Sequence, residues 1–297
     1  MNRPRILLTG ASGQVGWELR RTLLPLGEVI APGREEFDLS KPERLAETVR
    51  RIRPQWIVNP AAYTAVDRAE SEPALCDTVN AVAPAELARA ARALGAGFIH
   101  FSTDYVFNGD KRAPYREDDA PMPLNQYGAS KLEGERAIAA IGGAWLIFRT
   151  GWVYGGHGDN FVRTVQRLLL QRESLSIVDD QIGAPTWARA VAEVVAIIMG
   201  RYAAPEALLP DSGIYHLSAG GSTSWFAFAE HIRERMAAAH PGRPLARPIP
   251  IPSVQYPTPA TRSHYSVLDN SKLRERFGLA LPDWKECFAL AAPEFGL

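Results

Sequence analysis

The sequence predicts an α/β fold, a doubly wound parallel sheet with a smaller C-terminal lobe, on three observations. Short apolar runs alternate with helical patterns through the first half of the chain, the order expected of parallel strands joined by crossover helices. The first run feeds directly into a turn with three glycines, and a helical pattern follows at once. Residues with useful chemistry then gather just after the apolar runs, where doubly wound sheets hold their ligands.

Size and composition set the outer limits. At 297 residues the chain suits two lobes around a large core. Lys plus Arg is 33 and Asp plus Glu is 33, so no basic field exists to hold nucleic acid or an anionic membrane, and neither partner is expected. A bound phosphate must be held locally. Cys76 and Cys287 stand in unrelated contexts, which gives neither a disulfide framework nor paired metal-ligand spacing. The apolar run Ile6-Leu7-Leu8 is too short for a signal peptide or a membrane span, and a reducing cytoplasm is the expected location.

Arg5 to Thr9 reads as a buried strand that runs into Gly10-Ala-Ser-Gly13-Gln14-Val15-Gly16 and the helical pattern Trp17 to Leu24. Glycines here permit a tight turn, close approach of a pyrophosphate to backbone N–H groups, and close packing of helix on strand. The competing reading is an ordinary glycine-rich turn, against which the coincidence of strand, spaced glycines and helix weighs. A dinucleotide cofactor and a Rossmann-type sheet follow. Glu28 to Ala31 is the second strand, and Pro32-Gly33-Arg34 stands where an NAD-selective protein places an acid. A guanidinium there can meet a 2′-phosphate, so NADPH is expected, with NADH still possible. Asp38 reads either as a cofactor contact or as a turn or N-cap residue.

Trp56 to Asn59 is the third strand, and the small Ala61 and Ala62 after it would let a cofactor lie against the backbone. Val79 to Leu94 is an alanine-rich helix. Gly97 to Phe101 is the fourth strand, delivering Ser102-Thr103-Asp104-Tyr105 to the same edge. His100 within it reads as a packed core histidine rather than a base. A proline- and glycine-bearing loop, Asn108 to Asn125, leads to a helix carrying Tyr127 and Lys131, which share one face because they are four residues apart. A phenol with a reference pKa of about 10 is a poor acid near neutrality. A neighbouring ammonium and the Thr103 hydroxyl would stabilise its anion and ease proton transfer. Trp145 to Arg149 gives another strand, ending in Thr150-Gly151-Trp152.

Here the alternation breaks down, and the main boundary is expected near 150. Residues 1–150 would form the cofactor-binding domain, completed by elements within about 186–218, and 151–297 would be mainly a second, substrate-binding lobe. Asn160 to Leu170 and Ala188 to Met199 are predicted helices, and Ile214 to Leu217 a short strand. Ser224 to Ala238 is an amphipathic helix capped by Ser222, Thr223 or Ser224. Pro241 to Pro259 is dense in proline and predicts an ordered, extended connection.

The spacing of Gly10, Gly13 and Gly16, with Thr103, Tyr127 and Lys131, resembles the short-chain dehydrogenase/reductase superfamily. Nearly end to end the chain is similar to its extended branch of dTDP-4-dehydrorhamnose reductases. Gly13 to Leu19, Ala62 to Asp67, Ser102 to Phe107, Asp180 to Thr186 and Tyr256 to Arg262 carry that similarity. The resemblance implies NADPH-dependent reduction of the 4-keto group of a dTDP-6-deoxy-4-hexulose to dTDP-L-rhamnose. Hydride would go to sugar C4 and a proton from Tyr127 to the oxygen, with Lys131 on the nicotinamide ribose and Thr103 on the carbonyl. It further implies cofactor contacts from Gly10, Gly13, Gln14, Val15, Gly16, Arg34, Asp38, Leu39, Ala61, Ala62, Tyr63 and Phe101. Substrate contacts would come from Val66, Thr103, Asp104, Tyr105, Trp152, Gln181 and Arg262. Arg262 has a surface-loop alternative, and Trp152 reads equally as wall packing.

Related 4,6-dehydratases carry an Asp-Glu pair after the threonine; here Tyr105 follows Asp104, which disfavours elimination. A 4-epimerase or another nucleotide-sugar reductase stays open on chemistry alone, as does a non-catalytic regulatory subunit of the methionine adenosyltransferase type. Some relatives pair through carboxylates bridged by magnesium. Glu18 and Glu294 match such ligands, but Arg189 stands in the third position. The expectation is therefore no metal site, no magnesium in catalysis, and a monomer or a metal-independent homodimer.

Overall fold

The computed structural model describes residues 3–297. In chain order the first half comprises β1 (Arg5–Leu8), α1 (Gln14–Thr22), β2 (Glu28–Ile30), α2 (Leu45–Ile52), β3 (Trp56–Asn59), α3 (Val66–Ala69), α4 (Pro73–Asp77), α5 (Ala83–Leu94), β4 (Gly97–Thr103), α6 (Gln126–Ile141) and β5 (Trp145–Thr150). The second half adds β6 (Val153–Tyr154), α7 (Phe161–Gln171), β7 (Ser174–Val178), β8 (Ile182–Gly183), β9 (Thr186–Trp187), α8 (Ala188–Met199), β10 (Gly213–His216), β11 (Thr223–Ser224), α9 (Trp225–Ala239), β12 (Arg247–Ile251), α10 (Ser271–Phe277) and α11 (Trp284–Ala291).

Six strands form one sheet in the order β10-β5-β4-β3-β1-β2, and every pairing in it is parallel. The strands are continuous apolar runs because helices cover both faces. On one face Leu8, Ile99 and Phe148 pack with Leu19 of α1 and Val191, Val195 and Ile198 of α8. On the other, Leu7, Ile57 and Ile147 pack with Val49 of α2, Leu87 of α5 and Ile138 of α6. The chain order reverses between β1, with β3 on one side and β2 on the other, so β1 and β3 open a crevice at their carboxyl ends.

A separate apolar cluster fills the later part of the chain, where Val165 and Leu169 of α7, Phe228 and Ile232 of α9, and Phe288 of α11 meet around Tyr154. The proline-dense stretch 241–259 is more than a connection. Its residues Arg247–Ile251 form β12, which pairs in parallel with β7. Pro248 and Pro250 occupy alternate positions, so the N–H groups they lack fall on the side away from β7, and Arg247 N donates to Glu173 O at 2.9 Å. Prolines so placed suit an edge strand. Ser224 alone of the three possible caps closes α9, its Oγ accepting from Ala227 N at 3.0 Å. Among the described residues, no helix is long and apolar enough to cross a membrane.

Candidate active site

The glycine turn is shaped by contacts that exclude a side chain. Gly10 has φ +55°, and a Cβ on it would lie 2.8 Å from the Ala61 Cα. A Cβ on Gly16 would run into the Gly10 carbonyl. The turn therefore sits flat against the end of β3, and Gly13 opens α1 as an N-cap without a side-chain hydrogen bond and without an acidic residue in the first turn. Such a helix start offers N–H donors and a positive dipole end to an anion. A dinucleotide pyrophosphate fits this cradle. Gln14 Nε2 donates to Val153 O at 3.3 Å, and His157 Nε2 to Ser12 O at 2.9 Å, tying the turn to the segment after β5. Val15 packs against the core cluster behind the turn.

Around the crevice the remaining cofactor candidates divide. Arg34 is open to solvent, its Nε 3.8 Å from Asp38 Oδ1. Asp38 closes a local turn by accepting from Ser40 N at 3.0 Å and Ser40 Oγ at 2.8 Å, which holds its carboxyl below the ordinary value. Leu39 is buried beside Phe37 and Leu45. Tyr63 is pinned by Asn80, whose Oδ1 accepts from Tyr63 N at 2.8 Å, while the Tyr63 hydroxyl donates to Glu72 at 2.6 Å. Asn80 belongs to a π-helical turn, Thr78–Val82, between α4 and α5, a distortion that recurs at functional sites. No feature of the sequence marked that turn.

At the end of β4, Thr103 and Asp104 are buried. Thr103 Oγ1 donates to Asp104 Oδ1 at 3.1 Å and accepts from Tyr105 N at 3.2 Å. The half-buried Tyr127 ring meets Tyr105 edge-on, with ring centroids 5.4 Å apart. Burial drives the Tyr127 pKa up; Thr103 opposes that rise, and Asp104 and Tyr105 add to it. Burial likewise pushes Asp104 up to about 6 and Tyr105 up to about 12. Lys131 is buried and lowered to about 8 by desolvation. Its Nζ donates to Phe101 O at 2.6 Å and lies 3.2 Å from His100 Nε2. The expected stabilisation of the phenolate by a neighbouring ammonium thus needs correcting: Lys131 turns towards β4, and desolvation rather than this ammonium dominates the phenol. His100 is fully buried, as expected of a packed core histidine, and both its ring nitrogens face polar groups.

Helix α6 is set by Asn125, whose Oδ1 accepts from Gly128 N at 2.8 Å while its Nδ2 donates to Thr261 O at 2.8 Å. A Cβ on Gly128 would strike the Tyr105 carbonyl, so this glycine lets α6 approach the end of β4. An Asn two residues before a helical Tyr was a readable cap signal.

Of the substrate candidates, Tyr105, Arg262 and the start of α3 come together. Arg262 forms a two-pronged pair with Asp67, Nη1 to Oδ1 at 3.0 Å and Nη2 to Oδ2 at 2.8 Å, and also reaches Thr258. Val66 lies beside Asp67, half-buried. The guanidinium expected for a diphosphate is therefore engaged by a carboxylate. Trp152, at φ +51°, stacks on Trp225 with ring centroids 3.4 Å apart and fills the space a Cβ on Gly183 would need, which is wall packing. Gln181 is buried beside β8. At the other end of α1, Arg189 spans Glu18 at 3.2 Å and Glu294 at 2.7 Å. Among the described residues no cluster of three or more His, Cys, Asp or Glu is arranged to hold a metal ion.

Comparison with known proteins is consistent from end to end. Residues 4–295 match the family model described as the RmlD substrate binding domain. The dTDP-4-dehydrorhamnose reductase of Burkholderia thailandensis is 50% identical over 291 residues, covering 96% of this chain and 97% of the relative. That of Escherichia coli K12 is 48% identical over 288 residues, 94% of each. Among solved structures, the dTDP-4-dehydrorhamnose reductase of Bacillus anthracis in complex with NADP superposes with a TM-score of 0.90 at 34% identity, covering 99% of this chain and 100% of that one.

Proposed function

Because this chain belongs to the dTDP-4-dehydrorhamnose reductase family, we propose that it is the NADPH-dependent oxidoreductase that reduces the 4-keto group of dTDP-4-dehydro-6-deoxy-L-mannose to dTDP-L-rhamnose. The observation that carries the reading is the gathering of buried Thr103 at the end of β4, half-buried Tyr127 against Tyr105, and buried Lys131 one helical turn on, beside a glycine cradle without side chains. We take residues 1–150, completed within about 186–218, as the cofactor half, and 151–297 as mainly the sugar-nucleotide half; the membership of β10 in the main sheet supports that division.

NADPH, when bound, supplies the hydride. Gly10, Gly13 and Gly16 with Gln14 and Val15 line the pyrophosphate cradle, Ala61, Ala62, Tyr63 and Phe101 line the crevice, and Asp38 and Leu39 border the adenine end. Arg34 meets the 2′-phosphate as an exposed guanidinium, and Lys131 holds the nicotinamide ribose. Thr103 orients the sugar carbonyl by hydrogen bonding, and Tyr127 donates a proton to its oxygen. A phenol kept protonated by burial is suited to donating in the reductive direction. Asp104, Tyr105, Val66, Trp152, Gln181 and Arg262 border the sugar nucleotide, with Arg262 reaching the diphosphate on release from Asp67.

The test is to incubate the purified protein with NADPH and dTDP-4-dehydro-6-deoxy-L-mannose. Loss of nicotinamide absorbance matched by formation of dTDP-L-rhamnose is expected. Isomerisation of the sugar without net NADPH use would make the protein an epimerase, and binding without turnover would remove the catalytic reading. Arg34→Ala is expected to weaken NADPH roughly tenfold without weakening NADH, in line with the loss of one charge-assisted contact.

A further inference from the structure

A buried line of polar side chains crosses the sheet beneath the candidate site. Thr9, just after β1, donates through Oγ1 to Asn59 Oδ1 at 2.5 Å. Asn59 Nδ2 lies 3.0 Å from His100 Nδ1, the two residues being in register on neighbouring strands β3 and β4. His100 Nε2 lies 3.2 Å from Lys131 Nζ. None of the four is more than 2% exposed. Buried polar groups of this kind are costly unless each is satisfied, so the line constrains where every proton sits.

Proton counting ties the two ends together. Lys131 as an ammonium carries three donors and no acceptor. One N–H goes to Phe101 O, and a second meets His100, which must then offer a lone pair on Nε2. A neutral imidazole with a lone pair on Nε2 carries its proton on Nδ1. Nδ1–H needs an acceptor, which the Asn59 amide supplies when its oxygen faces the ring and its nitrogen donates to Thr9. The structure shows the amide in the other orientation, its oxygen accepting from Thr9 and its N–H facing Nδ1; there the ring proton belongs on Nε2 and only a neutral Lys131 amine can accept it, so the ammonium form requires the amide to turn over. The proton state of Lys131 and the orientation of the Asn59 amide are thus one two-state system.

We propose that His100 is a positioning residue of the reductase: as the Nδ1–H tautomer it accepts a hydrogen bond from the Lys131 ammonium, fixing Nζ and holding it charged for its proposed hold on the nicotinamide ribose. This rests on the reductase reading above. His100 is kept neutral by burial and by the Lys131 charge, which makes it an acceptor and not a second cation. The other titratable groups facing Lys131 are Glu135 on its own helix, already paired with Arg149 across 2.6 Å, and Cys76 from α4, whose thiol is raised by burial. Tyr127 and Asp104 face the same volume from α6 and the end of β4. None of these replaces the lone pair that His100 provides to Nζ.

The test uses the full chain, NADPH and the 4-keto sugar nucleotide. His100→Leu removes the acceptor. The ammonium form is lost as pH rises, so the alkaline limb of the kcat profile is expected to move down by about one pH unit, the size of one hydrogen bond to a charge. His100→Gln places an amide oxygen near the former Nε2, and His100→Asn places one near the former Nδ1. The Gln variant is expected to restore the wild-type limb and turnover within about threefold, whereas the Asn variant should behave like His100→Leu. If His100→Leu fails to fold, the Gln and Asn pair still decides. Equal profiles for Gln and Asn, or an unmoved limb in His100→Leu, would overturn the proposal. A wild-type protein that turns over no substrate would instead defeat the reductase reading, a separate outcome.

Discussion

The two sides of the cleft are built by different means. On the cofactor side, precision comes from backbone meeting backbone: Gly10 on Ala61, Gly16 on the Gly10 carbonyl, Gly128 on Tyr105, Gly134 on Asn80. On the substrate side, it comes from side chains: Trp152 stacked on Trp225, Tyr154 among Phe228 and Phe288, and the Arg262–Asp67 ion pair. A glycine contact has no rotamer to change, whereas a long side chain in an ion pair can exchange one partner for another. Under the proposed function, the cofactor would thus meet a fixed surface and the sugar nucleotide an adjustable one.

Substitutions can break or sharpen that contrast. The largest effect is expected at the seam between the two sides. Tyr127→Phe should lower kcat by about a hundred to ten thousand fold, the usual weight of a positioned proton donor, while NADPH binding measured by fluorescence stays intact; full activity would disprove the assignment. On the fixed side, Gly16→Val forces a side chain into the Gly10 carbonyl. It should cost about 2 to 4 kcal/mol of stability in a denaturant titration and weaken NADPH binding, and a normal Kd would show that the turn yields.

Asp104 sharpens the contrast through pH. Burial raises its folded pKa from the ordinary 3.8 to about 6, so the folded state binds this proton more tightly than the unfolded chain. Its contribution is fully present below the unfolded pKa and lost as pH rises through about 6. Asp104→Asn should therefore flatten the difference in stability between about pH 4 and pH 7 by roughly 2 to 3 kcal/mol, read by thermal melts across that window. The smallest effect belongs to the adjustable side: Arg262→Ala should raise the KM for the sugar nucleotide about tenfold, with a stability loss of about 1 to 2 kcal/mol from the lost two-pronged pair with Asp67. A fall in kcat without a change in KM would mean that Arg262 acts on the chemistry instead.

Features that depend on residues close in sequence were legible. The glycine turn and the Tyr127 to Lys131 spacing follow from local geometry, as do the buried strands and the cap of α9. Features assembled across strands were not. Asn59, His100 and Lys131 are separated by 41 and 31 residues, and nothing in their local sequence announces that they touch. His100 looked like packing because its neighbours in the chain are apolar. The proline-rich stretch hid β12 because proline lowers strand propensity, and only the register shows that Pro248 and Pro250 point their missing donors outward. Arg262 stood out in the sequence as a candidate, but its engagement with Asp67, 195 residues away, did not.

Asn125 holds the first turn of α6 with its oxygen and the 258–262 loop with its nitrogen. Seen as a position in a substitution landscape, it has almost no neighbours. Asp preserves the cap and forfeits the donor, Ser preserves the cap and lacks the reach, and Gln adds a methylene that misplaces both. Each single step away from Asn releases one of two joined parts, so drift at this position has to pass through a protein in which the helix of Tyr127 and the 258–262 loop have come apart.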